Sequence, residues 1–359
     1  MRCAAVPGST IVWLWLLANA VALAGLGLEI ANLGVFPRLR PNPAQEESVD
    51  VYVAMRNESE NAAAFLDAVL AMRGVARVVV ADDDSTDDTA TILARYAARD
   101  PRVRVVGSAP CAGKSAMLAH AVATVPPGSR WLLFLDADVR ANADAAATLV
   151  AHAKAAQVQA VTAWLRVETP SLASLLLAPA VALFLLQALP MRAARGSDPR
   201  LAAGNGQCFL VRADAYVWCG GHAALDAVVE DVALARALKR AGCRVALASG
   251  ADIACVRGYG SFGENARGLG RSLYYGTGAV GCVLFAIWQL LLALAPVPLY
   301  AARVLTARWL RERSLSVALA PLGALAAAAA ALLAAWEGMR GVVRWRGRTV
   351  SVGETGGRS

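Results

Sequence analysis

The chain has 359 residues, enough for one large domain or two small ones, and it is unusually apolar, with 57% hydrophobic residues, 17% charged residues and a mean hydropathy of +0.48. This composition excludes an entirely soluble globular protein and predicts a membrane protein with a soluble part. The formal net charge of +8 does not indicate nucleic-acid binding, because much of the excess arginine flanks apolar runs, where it is typical of membrane topology and of contact with anionic lipids.

The first predicted element is an apolar run over residues 11–35, which is long enough to cross a bilayer. The run is too long for a signal peptide and lacks a strongly basic start, which favours an uncleaved anchor. Arg38 and Arg40 follow the run, whereas only Arg2 precedes it. The positive-inside bias therefore places the following segment in the cytoplasm, and we predict a membrane anchor over residues 1–40.

Strand-like and helix-like patterns alternate after this anchor. The predicted strands and helices are, in order, 50–55 (strand), 59–72 (helix), 77–81 (strand), 86–98 (helix), 103–106 (strand), 114–124 (helix) and 131–135 (strand). Such alternation is typical of an α/β fold with a mostly parallel sheet between layers of helices.

Two carboxylates follow the apolar strand at 131–135. Ligands of parallel sheets bind beyond the C-terminal ends of the strands, which is where Asp136 and Asp138 lie. Two carboxylates spaced i, i+2 on extended backbone can face one divalent cation, a hard ion that takes oxygen ligands and bridges phosphates. An acidic turn that caps the next helix is the alternative interpretation.

Polar residues also follow the first two predicted strands. Arg56-Asn57-Glu58 follows the first, and an acidic segment over residues 82–89 follows the second. Helix capping explains one or two Asp, Ser or Thr residues at a helix start, but Asp82 and the seven residues that follow it are all of these types. The surplus predicts hydrogen bonds to a polar ligand such as a ribose or a base edge.

Residues 107–115 resemble the phosphate-binding loop of an NTPase, since they follow a strand, precede a helix and end in Gly-Lys-Ser. The loop of an NTPase requires glycine five positions before Gly113, where Ser108 stands, and its tight turn depends on that glycine. The spacing therefore disfavours an NTPase. Lys114 can still neutralise a phosphate as a point charge.

Residues 171–189 are apolar and borderline in length for a membrane span. Polar sequence resumes at Gly204-Asn205-Gly206-Gln207 and at Glu230-Asp231, which opens a predicted helix. A single crossing would separate these segments from Asp136 by the membrane, so we predict an interfacial or re-entrant segment. Glu230 and Asp231 exceed the need of a helix cap, and one of them is a candidate general base.

Arginines and glycines alternate in the following stretch, where Arg257, Arg267 and Arg271 either clamp phosphates or contact the membrane surface. Two further apolar runs, 278–300 and 315–336, have spanning length. The tail after them is basic, which predicts a cytoplasmic location. Four arginines between the two runs conflict with the same rule, so the sequence leaves open whether one run is re-entrant.

Six segments together carry a family resemblance: Arg56-Asn-Glu58, Asp82 to Thr89, Gly113-Lys114, Asp136-Ala-Asp138, Gly204-Asn-Gly-Gln207 and Glu230-Asp231. In this order, over about residues 48–275, they resemble a family 2 glycosyltransferase of the GT-A fold. The flanking apolar runs, Gly221-His222 and the terminal Val343-Arg-Trp-Arg-Gly-Arg348 resemble the lipid-acting branch, above all the bacterial carotenoid glucosyltransferases that act on hydroxychlorobactene or diaponeurosporenoate.

The resemblance implies a role for each polar residue. Glu58 and Asp83 would bind the nucleoside of a UDP-sugar, Lys114 and Asp136 the ribose or diphosphate, and Asp138 a Mg²⁺ or Mn²⁺ ion. Asp231 would be the catalytic base. Residues that would contact the acceptor or the leaving diphosphate are Gln207, Glu230, Arg267 and Arg271. The family's Gln-x-x-Arg-Trp motif is absent, and Arg267-Gly-Leu-Gly-Arg271 stands in its region.

The sequence thus predicts an inverting enzyme that moves a hexose, expected to be glucose, from a UDP-sugar to the hydroxyl or carboxyl of a membrane lipid of carotenoid type. The expected divisions are an anchor (1–40), a GT-A domain (41–275) with an interfacial segment (171–189), C-terminal membrane helices (276–338) and a cytoplasmic tail (339–359). We expect a multi-pass protein of the inner membrane with a cytoplasmic catalytic domain. A processive polysaccharide synthase and a membrane-associated NTPase are the alternatives.

Overall fold

The computed structural model describes residues 8–43, 47–108, 113–225 and 229–340, together with the backbone of two short strands beyond them. The strands are β1 (Val49–Met55), β2 (Val75–Asp82), β3 (Val103–Val106), β4 (Trp131–Leu135), β5 (Val139–Ala141), β6 (Ala160–Trp164), β7 (Arg166–Glu168), β8 (Cys208–Arg212), β9 (Val245–Ser249), β10 (Ala254–Arg257), β11 (Val343–Trp345) and β12 (Arg348–Val350).

The helices follow the same chain order. They are α1 (Gly8–Leu33), α2 (Ser59–Leu70), α3 (Thr89–Arg99), α4 (Lys114–Thr124), α5 (Ala145–Ala155), α6 (Leu172–Ala188), α7 (Met191–Ala194), α8 (Ala213–Trp218), α9 (Glu230–Arg240), α10 (Phe262–Ala293), α11 (Pro296–Leu310), α12 (Ser314–Ala318) and α13 (Ala320–Met339).

A seven-stranded sheet in the order β3-β2-β1-β4-β8-β6-β9 forms the centre of the soluble part. All neighbouring strands are parallel except that β8 runs antiparallel to both β4 and β6. The predicted α/β fold with a mostly parallel sheet is confirmed. The sequence analysis did not predict β8, which enters the middle of the sheet from late in the chain.

Alternating side chains of β1 show why helices cover both faces of this sheet. Val51 and Val53 pack in the core under α2, α3 and α5, whereas Tyr52 points to the opposite core, under α4, α8 and α9. A strand whose two faces are both buried has no need of polar alternation. This explains the unbroken apolar runs from which the strands were predicted.

A buried aspartate stabilises the N-terminal edge of the same sheet. Asp50 on β1 is fully buried, and its carboxylate accepts hydrogen bonds from Arg77 Nη2 at 2.5 Å, Gly128 N at 2.7 Å and Ser129 Oγ at 2.8 Å. Burial alone would raise the pKa of Asp50, but these hydrogen bonds outweigh burial and lower it. The charged carboxylate thus joins β1 to β2 and to the turn before β4.

Three helices of the described residues are long and apolar enough to cross a membrane: Ser9–Leu33, Phe262–Ala293 and Ala320–Met339. Within α10, Gly278 has φ +71° and ψ −176°, a conformation essentially restricted to glycine, so this helix is kinked at that residue. The predicted run 278–300 is wrong at its end, because α10 stops at Ala293. A separate helix, α11, begins at Pro296 and has a second proline, Pro298, in its first turn.

Helix α6, at 17 residues, is shorter than those three helices, and it packs against α1, α10 and α13. Strand β6 precedes α6 in the chain and pairs with β8, which follows α6. The chain therefore leaves the sheet before α6 and returns to the same sheet after it. The interfacial placement of residues 171–189 stays a prediction.

Ion pairs connect the segment between α11 and α12 to the soluble part. Asp252 accepts from Arg38 Nε at 2.6 Å and from Arg311 Nε at 2.8 Å, and Arg313 Nη1 donates to the carbonyl of Thr169 at 3.3 Å. Arginines that the positive-inside rule could not place from the sequence therefore lie beside the sheet domain. Helix α11 thus brings the chain back to this domain, and the side of the membrane on which these arginines lie stays a prediction.

We predict that Asp50→Asn lowers the free energy of unfolding by about 2 to 3 kcal/mol, because it leaves Arg77 without its charged partner and disturbs buried donors. Chemical denaturation in detergent, followed by tryptophan fluorescence, measures the loss. Since the folded-state pKa of Asp50 is lowered, the difference from wild type should persist above about pH 4 and shrink as the pH falls below that value.

Asp198→Asn is the matched control, since Asp198 also pairs with an arginine, at 2.9 Å from Arg200 Nη2, but at an exposed site. It should change stability little. Equal destabilisation by the two variants would contradict the assigned role of Asp50.

Candidate active site

The C-terminal ends of β1, β2 and β4 lie side by side and carry most of the polar residues singled out by the sequence. Glu58 follows β1, Asp83 follows β2, and Asp136 and Asp138 follow β4. Because the three strands are parallel neighbours, their C-terminal ends meet at one edge of the sheet. Lys114, the first residue of α4, and Glu230, the first residue of α9, join them.

Lys114 connects the two halves of this site. Its Nζ lies 2.6 Å from Asp136 Oδ1 and 2.5 Å from Glu230 Oε1, and it donates to the carbonyl of Gly206 at 3.3 Å. Burial alone would lower the pKa of Lys114, but the two carboxylates outweigh burial and raise it. The ammonium is therefore charged at neutral pH.

The pKa values of the two adjacent carboxylates of α9 are shifted in opposite directions. Burial would raise the pKa of Glu230, but the Lys114 ammonium outweighs it and the pKa is lowered. Burial and the negative charge of Glu230 raise the pKa of Asp231. The two neighbours are therefore shifted in opposite directions, which favours Asp231 over Glu230 as the candidate base.

Close backbone contact explains the glycines of the Gly204-Asn205-Gly206-Gln207 segment. The N–H of Gly206 donates to Asp231 Oδ2 at 2.7 Å. A Cβ at Gly204 would lie 2.5 Å from the carbonyl oxygen of Asp231, closer than backbone atoms allow. Gln207 lies on the same segment, where its carbonyl accepts from the N–H of Asp136 at 3.3 Å. The segment thus holds the start of α9 against the end of β4.

Asp138 lies two residues beyond Asp136, and the Arg257 N–H donates to its carbonyl at 3.1 Å. Burial and then the charges of Asp136 and Glu58 raise the pKa of Asp138 to about 7. The charges of Asp136 and Glu58 thus reach Asp138 at this edge of the sheet, and a cation held by Asp138 stays a prediction.

Glu58 and Asp83 are buried, with 8% and 6% exposure. Glu58 Oε2 accepts from Asn61 at 2.8 Å, and Arg56 Nη1 lies 3.5 Å from Asp83 Oδ2. Both residues lie at the predicted edge, and Arg56 is a basic partner of Asp83 that the sequence analysis did not single out for this role.

Most of the acidic segment after β2 bonds to itself and to the start of α2. Ser85 Oγ donates to Asp82 at 2.5 Å, and Asp87 accepts from Thr89 Oγ1 at 2.6 Å and from Ser59 N at 3.1 Å. The surplus of polar residues that predicted ligand binding is thus largely used within the loop. Asp83 is the member that is buried beside Arg56.

Arg267 and Arg271 lie on α10, beyond the glycine-rich turn that follows β10. Their contact with a diphosphate stays a prediction. Residues that the sequence analysis did not assign to the site are Tyr216 and Ser115, which contact His222 beside α4 and α9.

We predict that Gly204→Ala lowers turnover about 100-fold, because the added methyl group would push the backbone at Asp231 away from its position by on the order of 1 Å. Initial rates of the purified protein measure this effect. Gly260→Ala is the control, since a Cβ there meets no atom within 4 Å, and its rate should remain near wild type. Full activity of Gly204→Ala would show that this contact does not position the base.

One family of known proteins matches part of the chain that carries this site. Residues 50–205 match the family described as Glycosyl transferase family 2. The match begins on β1 and ends within the segment that contacts Asp231. A search of curated proteins gave no match.

Solved glycosyltransferase structures align with most of the chain. The mannosyltransferase PcManGT from Pyrobaculum calidifontis, solved with GDP-Man and Mn²⁺, has a TM-score of 0.59 and 18% identity, with 91% of this chain and 99% of that chain covered. The glucosyl-3-phosphoglycerate synthase from Mycobacterium tuberculosis, solved with Mn²⁺, UDP and glucosyl-3-phosphoglycerate, has a TM-score of 0.43 and 16% identity, with 76% and 83% covered.

The similarity to the mannosyltransferase concerns the fold, since the identity is low. Together with the family match it agrees with the sheet order and with the polar edge described above. Residues 50–205 therefore match Glycosyl transferase family 2, and the chain has a GT-A-like fold similar to that of the mannosyltransferase.

Proposed function

We propose that this protein is an inverting glycosyltransferase that moves a hexose, with glucose as the expected sugar, from a UDP-sugar to the hydroxyl or carboxyl of a carotenoid-type membrane lipid. The observation that carries the proposal is the Lys114 ammonium held between Asp136 and Glu230, one residue from the candidate base Asp231. The Lys114 ammonium, which would neutralise the leaving diphosphate, and the Asp231 carboxylate, which would take the proton of the acceptor, then belong to one site.

The donor would bind along the C-terminal edge of β1, β2 and β4. Glu58 and Asp83 are hydrogen-bond acceptors for the nucleoside, and their burial favours a ligand that replaces water. Lys114 and Asp136 would contact the ribose and the diphosphate. The ammonium neutralises charge that develops on the leaving group, and its two carboxylate partners keep it in place before the donor arrives.

The residues at the end of β4 fit a divalent cation, Mg²⁺ or Mn²⁺, held by Asp138. Hard cations take oxygen ligands, and Mg²⁺ is usually bound by one or two carboxylates together with substrate phosphates. The described residues contain no cluster of three or more His, Cys, Asp or Glu arranged for a metal. When bound, the cation would stabilise negative charge on the diphosphate.

Asp231 would remove the proton of the acceptor. As the acceptor oxygen forms its bond to the anomeric carbon, the proton moves to the Asp231 carboxylate and the bond to the diphosphate breaks. One displacement of this kind inverts the anomeric centre and needs one carboxylate base. The raised pKa of Asp231 and its hydrogen bond from Gly206 support this role.

A lipid acceptor accords with the apolar helices that adjoin the sheet domain. Helix α6 lies between two strands of the domain in the chain, β6 and β8, and α10 begins five residues after β10. An acceptor in the lipid phase would thus lie near the domain. We propose an inner-membrane, multi-pass protein with the domain in the cytoplasm, supported by three helices of spanning character and by the arginines at Arg38, Arg311 and Arg313.

Incubation of membranes containing the protein with labelled UDP-glucose, followed by identification of the labelled product, tests the proposal. We expect a glycosylated lipid in wild type and none with Asp231→Asn, whereas UDP-glucose binding by that variant should remain near wild type. The exposed Asp214→Asn serves as the control and should retain turnover.

Each other outcome has a distinct meaning. Equal loss of donor binding and turnover in Asp231→Asn would assign Asp231 to the donor. A labelled polymer would identify a polysaccharide synthase, and the absence of any labelled product would overturn the UDP-glucose proposal.

A chelator should abolish wild-type turnover, because the diphosphate charge would lose its stabilising cation, and added Mg²⁺ or Mn²⁺ should restore it. Asp138→Asn should lose turnover without restoration at the same metal concentration. The Asp214→Asn control should respond as wild type does. Unchanged rates in the chelator would rule out a required metal.

A further inference from the structure

Arg140 lies beside the candidate active site, and the proposed chemistry gives it no role. It belongs to β5, two residues after Asp138, and β5 pairs with β10 in a smaller, three-stranded sheet. Its neighbour Val139 is buried in the core under α2. Because successive side chains of a strand point to opposite faces, Arg140 points away from Val139, and its guanidinium contacts the start of α2.

One nitrogen of this guanidinium holds the turn that carries the acidic pair. Arg140 Nη1 donates to the carbonyl of Ala137 at 3.3 Å and to the carbonyl of Val139 at 3.0 Å. Ala137 and Val139 are the two chain neighbours of Asp138. These hydrogen bonds therefore hold the backbone on both sides of Asp138.

The other terminal nitrogen connects Arg140 to Glu58 through a side-chain amide. Arg140 Nη2 donates to Asn61 Oδ1 at 3.1 Å, and Asn61 Nδ2 donates to Glu58 Oε2 at 2.8 Å. A guanidinium has five N–H donors and no acceptor, so the Asn61 atom that faces it is the oxygen. The amide nitrogen of Asn61 then faces Glu58, and the direction of both hydrogen bonds follows from the chemistry of the groups.

The backbone of Glu58 is held without any contribution from Arg140. Its N–H donates to Thr89 Oγ1 at 2.8 Å, and its carbonyl accepts from the N–H of Asn61 at 2.8 Å and from the N–H of Ala62 at 2.7 Å. Loss of the Arg140 side chain would leave these bonds in place. It would remove the bond that orients the Asn61 amide, and this amide holds the Glu58 carboxylate.

We propose that Arg140 is a positioning residue that fixes the Glu58 carboxylate and the Asp138 turn relative to each other. A planar guanidinium presents its N–H groups in a rigid fork, so one side chain can hold two elements in one geometry. Arg140 would act through Asn61 and two backbone carbonyls, without touching the substrate. The inference rests on the proposed function in one respect, namely that Glu58 binds the nucleoside and Asp138 the cation of the same donor.

Arg140→Lys separates the fork from the charge. Lysine keeps the positive charge near the carboxylates, but its single ammonium does not reproduce the spacing of Nη1 and Nη2. We expect kcat/KM for UDP-glucose to fall on the order of 10- to 100-fold in Arg140→Lys and by a similar factor in Arg140→Met, because the nucleoside and the diphosphate would no longer be aligned. Wild-type activity of Arg140→Lys beside a loss in Arg140→Met would reduce Arg140 to a charge and overturn the proposal.

Asn61→Leu tests the connection to Glu58, since it removes both amide hydrogen bonds at a similar side-chain volume. It should raise KM for UDP-glucose about tenfold with little change in kcat, as expected when a contact made equally before and during the reaction is lost. In the proposal, Arg140 reaches Glu58 through Asn61. Arg140→Met should therefore raise KM much less in the Asn61→Leu background than in wild type, and fully additive effects on KM would contradict the connection.

Glu60→Gln is the matched control. Glu60 directly precedes Asn61 and also pairs with an arginine of the smaller sheet, with 3.2 Å between its Oε2 and Arg257 Nη1, but both side chains are exposed. An exposed pair contributes little, so kcat and KM should remain near wild type. A loss in Glu60→Gln equal to that in Asn61→Leu would show that any contact between α2 and this sheet has the same effect, which would overturn the specific role of Arg140.

Hydrogen–deuterium exchange of the substrate-free protein gives a readout that needs no donor. In Arg140→Met, exchange should become faster in residues 136–141 and stay near wild type at the start of α2, where the backbone bonds do not involve Arg140. Unchanged exchange in residues 136–141, or an equal increase in both segments, would overturn the inference even if UDP-glucose is the donor. Failure of the wild type to use UDP-glucose would overturn the proposed donor and leave this exchange result unaffected.

Discussion

One ammonium group holds the site together. Lys114 lies between Asp136, which ends a strand of the first half of the sheet, and Glu230, which begins a helix about one hundred residues later in the chain. Carboxylates gathered at one partly buried edge repel one another, and burial makes this repulsion stronger than it would be in water. The positive charge of Lys114 offsets that repulsion. The close packing of Gly204 against the backbone of Asp231 then sets the distance between the two halves.

The order of strands explains how distant parts of the chain meet. Strand β8 enters between β4 and β6, so the segment just before it, which includes Gly206, lies against the C-terminal end of β4. The apolar helix α6 lies between β6 and β8 in the chain, but the two strands are neighbours in the sheet. The ion pairs of Asp252 with Arg38 and Arg311 connect the same domain to both flanking helical regions. Helices and catalytic edge therefore form one connected structure.

Local pattern was sufficient for part of this architecture. The apolar runs of β1 to β4 and the helices between them were predicted because a strand with two buried faces leaves a continuous apolar signal. Strand β8 was missed, since its place in the sheet depends on pairing with residues some 75 positions earlier, at Trp131 to Leu135. The extra polar residues after β2 were assigned to a ligand. In the structure, Asp87 accepts a hydrogen bond from Ser59 and Asp82 accepts one from Ser85, and residue spacing alone does not reveal these bonds.

The acidic pair shows most clearly what sequence alone leaves undetermined. Glu230 and Asp231 are chemically alike and adjacent, so either was a candidate base. The fold distinguishes them: the Lys114 ammonium outweighs burial and lowers the pKa of Glu230, whereas burial and the negative charge of Glu230 raise the pKa of Asp231. A carboxylate already committed to an ammonium is a poor proton acceptor, and a buried neighbour without a cationic partner of its own is a better one. The ion pair thus holds Lys114 in the site and, through the negative charge of Glu230, raises the pKa of Asp231.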